Sequence, residues 1–142
     1  MTDRFLAMFP WLFDIEGRAY ENDPSDPGGA TRFGIDQRSH PNVDIKNLTE
    51  EEAKKIYWDS YWQKNSCERF DFPIGEAYFD ICVNNGAGRA AQLLAISNSC
   101  QQLIANRDAF YRRLAARRPK SRKYLQGWLN RDISLRKHLN IT

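Results

Sequence analysis

Apolar residues recur at helical spacing from the start of the chain, with Phe5, Phe9, Leu12 and Phe13 marking one buried face. Pro10 falls inside that run and predicts a kink, because it removes one backbone hydrogen bond. At about 100° per residue, Glu16 continues the stripe that Phe5 and Leu12 define. The helical period then stops. Asn22-Asp23-Pro24 and Asp26-Pro27-Gly28-Gly29 are turn sequences, in which Gly permits positive φ and Pro fixes φ. Thr31-Arg32-Phe33-Gly34-Ile35 reads as a strand, so the loop before it is expected to fold back as a hairpin-like flap. Asp36 to Pro41 predicts a short helical turn ended by proline.

Thr49-Glu50-Glu51-Glu52 is a capping box and starts a helix that the pattern carries to about Lys64. Ala53, Ile56, Tyr57 and Tyr61 share one face of it, with Trp58 and Trp62 on an adjoining one. An aromatic stripe of this kind is more often core than cleft, although aromatic faces also stack on sugar rings. Pro73 opens a helix that is apolar on most sides, as a central buried element should be. Its polar residues Glu76, Asp80 and Asn84 fall at i, i+4 and i+8 in one stripe, which must meet partners or a wet cleft. Gly86-Ala87-Gly88 breaks the pattern before it resumes at Arg89. Leu103, Arg107, Phe110, Tyr111 and Leu114 mark a further helix that Pro119 ends. Ser121 is then placed to cap a last helix carrying Leu125, Trp128, Leu129, Leu135 and Leu139.

Charge is distributed unevenly along this pattern. Residues 1–105 carry 10 basic and 16 acidic side chains, whereas residues 106–142 carry 11 and 2, a basic end within a net charge of only +3. Such an end attracts nucleic acid, anionic lipid or anionic wall polymer, or simply forms the solvated face of two helices. The length of 142 residues fits one domain with its own core, spanning 1–142, on which the basic helical pair 106–142 would pack. Cys67, Cys82 and Cys100 are odd in number and fit no zinc spacing, so they read as reduced structural thiols. His40 has no Cys or carboxylate at ligand spacing and reads as a surface residue. The N-terminal apolar stretch is too short to span a bilayer and lacks a small-residue cleavage site, so neither a signal peptide nor a membrane span is expected.

The chemistry concentrates in Glu16 to Ile35. A carboxyl that continues an apolar stripe is costly unless compensated, and Gly17 places it at the negative end of the helix dipole. That is an environment a general acid needs at neutral pH. The flap could then hold Asp26 and Thr31 opposite Glu16, giving the pair of carboxylates that glycoside hydrolysis uses. The run E-G-x-x-Y-x-N-D-P-x-D-P-G-G-A-T-x-x-G-I, from Glu16 to Ile35, resembles the opening motif of the glycoside hydrolase 108 muramidases, which include phage endolysins and secretion activator proteins. The resemblance continues in Asp44 to Thr49, in Tyr61-Trp62, in Phe79-Asp80 with Asn84 and Gly86, and in Gly127 to Arg131. Two departures are visible. One residue more separates Glu16 from Tyr20 than the family's Glu-Gly-Gly-Tyr, and the D-G-x-x-G-x-x-T type segment of the family's wall-binding part is missing.

The resemblance implies a mainly α, lysozyme-like α+β domain with a small β-hairpin flap. It implies N-acetylmuramidase (endolysin) activity on a peptidoglycan glycan strand, with Glu16, Asp26 and Thr31 catalytic and Tyr20, Asn22, Trp62, Asp80 and Asn84 as substrate-binding positions. The order Glu16, Asp26, Thr31 is similar in layout to the phage-type lysozyme pattern, whose enzymes invert the anomeric centre. No metal or organic cofactor is implied, and no nucleic-acid partner is expected. An anionic envelope polymer is a candidate partner for the basic C-terminus. A protein made in the cytoplasm would reach the wall in the periplasm through a holin or another exporter. A lytic transglycosylase, which manages with one Glu, is the rival enzyme, and a non-catalytic wall- or nucleic-acid-binding protein is the rival of another class.

Overall fold

The computed structural model describes all residues from 1 to 142, which form two compact units, Met1–Ser60 and Tyr61–Thr142. The basic helices expected at 106–142 belong to the second unit together with the helices preceding them.

In the first unit the N-terminal helix is not one kinked rod. It is two short helices, α1 (Asp3–Leu6) and α2 (Trp11–Glu16), because Pro10 has no N–H to continue the ladder. The register from Leu12 to Glu16 survives within α2, whereas the angular relation of Glu16 to Phe5 does not. Phe5, Phe9, Leu12 and Phe13 are all buried. Phe9 and Phe13 pack with ring centroids 4.7 Å apart, and both rings also approach Tyr57. The expected strand at 31–35 is likewise two strands, β1 (Thr31–Arg32) and β2 (Ile35–Asp36), paired antiparallel with Arg32 opposite Ile35. Phe33 and Gly34 make the turn between them, with φ of 54° and 78°. Positive φ at both central residues is what a two-residue type I′ hairpin requires.

Helix α3 (Glu50–Tyr57) starts with the expected capping box, Thr49 Oγ1 accepting from the Glu52 N–H while Glu52 accepts from Thr49. It widens into a π-helical segment, Trp58–Gln63, instead of running on as α-helix to Lys64.

The second unit is built around α4 (Ile74–Asn85), buried continuously from Gly75 to Cys82 as its sequence predicts. Helices α5 (Ala87–Ala95), α6 (Cys100–Arg117) and α7 (Leu125–His138) complete it. Ser99 caps α6 by accepting from the Gln102 N–H. Ser121 caps nothing, because it lies inside a 3₁₀ segment, Pro119–Tyr124, that leads directly into α7. The three cysteines are buried free thiols. A hydrogen bond with Cys82, reinforced by burial, pushes the Cys67 thiol well above its ordinary value. No helix is long and apolar enough to cross a membrane.

Candidate active site

Glu16 is the last residue of α2 and is half-buried. Gly17 follows with φ of 85° and turns the chain away from the helix axis, a conformation that glycine adopts without a Cβ penalty. Beyond Gly17, Arg18 folds back to pair with Asp14 and approaches Glu50 at 3.9 Å. Such exposed pairs contribute little stability.

The hairpin turn rests on Glu16 itself. A Cβ built on Gly34 would lie 2.8 Å from both Cβ and Cγ of Glu16 and 2.5 Å from the Tyr57 hydroxyl. The Tyr57 hydroxyl donates to the Phe33 carbonyl at 2.8 Å inside the unit. The Phe33 ring packs 5.0 Å from Phe13, and the Arg32 guanidinium lies 5.5 Å over it. A non-glycine residue at positive φ costs roughly 1–3 kcal/mol and persists only where its surroundings fix it. Burying a phenylalanine contributes about 1.5–3 kcal/mol, enough to hold Phe33 there. The stem of Glu16 and the hydroxyl of Tyr57 therefore both close on the same glycine of the hairpin.

Thr31 is tied on both sides. It exchanges two backbone hydrogen bonds with Glu21, at 2.8 and 2.9 Å, and pairs with Asp36 in the sheet. The Glu21 bridge closes the 22–30 loop at its base, so the flap is a loop cinched onto β1 and not a strand folded onto a strand. Asp26 sits exposed within that loop, its Oδ1 accepting the Gly28 N–H at 2.9 Å. Asp23 holds the preceding turn, and its hydrogen bonds from the backbone and hydroxyl of Ser25 draw its carboxyl below the usual range. Gly28 has the Asp26 and Asp36 carboxylates on either side, each 3.3 Å from where a Cβ would be. Asn22 is exposed at the loop entrance and Tyr20 is half-buried just before it. A concavity of about 380 Å³ in this unit, lined in part by Val43, Leu48 and Ile56, includes none of these residues in its lining.

The remaining expected sugar contacts belong to the second unit, and two of them are interior. Trp62 is fully buried, its ring 5.4 Å from Phe79 and its Nε1 donating to Glu68 at 2.6 Å. Asp80 is fully buried too, accepting from Arg107 at 2.8 Å and from Arg131 at 2.7 Å. Neither presents surface to a glycan strand, because in both cases the polar atoms are consumed by partners within the unit. Burial pushes the Asp80 carboxyl up, but Arg131 and Arg107 outweigh it and hold the group down at about 2. Asn84 is exposed, and its side chain donates to the Tyr111 hydroxyl at 2.6 Å. The polar stripe on α4 is thus satisfied chiefly by α6 and α7. Its signal was present in the sequence as Arg107, a cation at a position of the apolar face.

A mainly α-helical chain with one small antiparallel hairpin, and an acid at the end of an N-terminal helix packed on that hairpin, has a lysozyme-like fold. This chain belongs to the glycosyl hydrolase 108 family, which it matches over residues 9–86, more than half its length. The structure of Brucella abortus SagA is similar at a TM-score of 0.76 and 24% identity, covering 96% of this chain and 94% of that one, which shows a common fold. No curated protein matches the chain. The family supports a function of the peptidoglycan-hydrolase type. Sequence reasoning did not single out Gly34, Tyr57 or Asp36 for this site. The dipeptide Phe33-Gly34 is a weak turn signal, since phenylalanine rarely takes positive φ.

Proposed function

We propose that the chain is an N-acetylmuramidase that hydrolyses the bond between N-acetylmuramic acid and N-acetylglucosamine in peptidoglycan. Glu16 protonates the leaving glycosidic oxygen. Asp26 activates a water or stabilises the oxocarbenium charge, and the Thr31 hydroxyl positions that water. Tyr20 and Asn22, at the entrance of the loop, contact the sugar. The observation that carries this reading is the clamp on Glu16: the Gly34 turn, itself held by the Tyr57 hydroxyl on Phe33, packs directly against its stem, and a general acid must be so held if it is to meet one oxygen atom reproducibly. Inversion is the stereochemical outcome expected of an acid and a base with a water between them.

The test is digestion of purified peptidoglycan followed by mass spectrometry of the products. Muropeptides with free reducing ends are expected from the wild type. Glu16→Gln should lose about 10²–10⁴-fold in rate while still unfolding cooperatively. Products with 1,6-anhydro ends would replace hydrolysis by transglycosylation. A Glu16→Gln protein retaining more than about a tenth of the rate would remove Glu16 from the acid role.

A further inference from the structure

The second unit carries a basic pocket that bond cleavage does not use. Helix α6 presents Phe110, Arg113, Leu114 and Arg117 at i, i+3, i+4 and i+7, one face of the helix, and Arg118 follows as its C-cap. Arg89 of α5 closes the other side, its guanidinium 4.3 Å over the Phe110 ring. Together these residues line a concavity of about 180 Å³. No carboxylate pairs with any of the four arginines, a state they share with Arg69, Arg112 and Arg122, whereas Arg107, Arg131 and Arg136 of the same unit are paired.

Arg117 and Arg118 would suit the end of any helix, where cations complement the negative end of the dipole. That explanation does not reach Arg113, one turn earlier. It is reversed for Arg89, which lies in the first turn of α5, at the positive end, with no acidic residue in that turn. Four like charges around one concavity repel unless an anion comes between them. Guanidinium forks match tetrahedral oxyanions, and a phosphate offers several oxygens to share, where a carboxylate is used up by one fork. Phe110 and Leu114 supply an apolar wall for carbon attached to that phosphate.

We infer that this pocket binds a phosphate ester, either as a soluble small molecule or as a phosphoglycerol headgroup of a lipid. The site stands independently of the muramidase reading, and its test requires no cleavage. Calorimetry of the full chain with glycerol 3-phosphate, at fixed ionic strength and with acetate as control anion, is one arm. Co-sedimentation with phosphatidylglycerol vesicles, set against phosphatidylcholine vesicles, is the other. Arg113→Gln/Arg117→Gln should weaken binding at least about tenfold, while Lys120→Gln/Lys123→Gln, which removes the same charge outside the pocket, should change it by less than about twofold. Arg113→Lys/Arg117→Lys keeps the charge and the fold but loses the forks, and should also weaken binding. Binding of glycerol 3-phosphate supports a soluble ester, and binding of the vesicles alone, with the same ranking of variants, supports a headgroup. Equal losses in the pocket and Lys120/Lys123 variants, wild-type affinity in the lysine variant, or no binding in either arm would overturn the site.

Discussion

Asp26 holds its own turn, its Oδ1 accepting the Gly28 N–H, and an asparagine side-chain oxygen can accept the same bond. Asp26→Asn therefore removes the charge and leaves the loop, and should cost about 10²-fold in peptidoglycan cleavage with little change in melting temperature. Thr31 is fixed through its backbone to Glu21 and Asp36, so Thr31→Ala deletes the hydroxyl and the γ-methyl without touching those bonds, and should cost about tenfold by misplacing water. Full activity in both variants would leave Glu16 without partners. Asp80 and Asp132 are acids of a different kind. Burial drives the Asp132 carboxyl up to about 7 against the pull of Arg107, and the neighbouring Asp108 carboxylate adds to the rise. Asp80, by contrast, is held down at about 2. From a common unfolded value of 3.8 the two act in opposite directions. Asp80 contributes stability that is present above about pH 4 and lost as pH falls toward 2. Asp132 contributes stability that is present below about pH 4 and lost as pH rises toward 7. Asp132→Asn should therefore flatten the decline in melting temperature that Asp132 contributes between about pH 4 and 7. A decline unchanged in that variant would assign it to other groups.

Among the elements, the β1–β2 hairpin is the one whose geometry bears most directly on Glu16. Gly34→Ala would put a methyl against the Glu16 stem and the Tyr57 hydroxyl, at a φ of 78° that alanine resists. Activity should fall at least about tenfold through displacement of Glu16, alongside a stability loss of about 1–3 kcal/mol. Adding Tyr57→Phe removes the nearest obstacle and should recover part of the rate even though it also removes the bond to Phe33. Were the loss no greater than the unfolded fraction at the assay temperature, the clamp would be structural only. The same hairpin marks the limit of what the chain's pattern discloses. Long periodic segments announce themselves, so α3, α4 and α6 are legible, as is the capping box at Thr49. Glu16, Asp26 and Thr31 are legible as residue types set among turn formers. The break between α1 and α2 is not, because a proline that kinks a helix and one that ends it have the same local pattern. Nor is the Phe33-Gly34 turn, where tertiary burial of an aromatic ring overrides its backbone preference. Trp62 and Asp80 differ from surface residues only through Phe79, Glu68, Arg107 and Arg131, partners 6 to 51 positions away that periodicity cannot supply.

At the scale of the whole chain the dominant feature is charge separation, an excess of nine cations after residue 105 and of six anions before it. The family match ends at residue 86, so the basic end lies outside the matched region. Of its cations, Arg107, Arg131 and Arg136 are committed to Asp80, Asp132 and Asp108, whereas Arg113, Arg117 and Arg118 belong to the unpaired cluster. Committed charges are neutralised within the second unit and steer nothing. The uncommitted ones project a field over about 10 Å at 0.1 M salt, shrinking to about 3 Å at 1 M. If that field brings the protein to an anionic envelope polymer, lysis of permeabilised cells should slow steeply as sodium chloride is raised from about 0.05 to about 0.5 M. Cleavage of a small neutral chitooligosaccharide should change much less over the same range, because its encounter with Glu16 involves no anionic surface. Arg113→Gln/Arg117→Gln should flatten the salt dependence on cells and leave the neutral substrate untouched. Equal salt sensitivity on both substrates would place the effect in the Glu16 site and reduce the basic end to a solvated helix face.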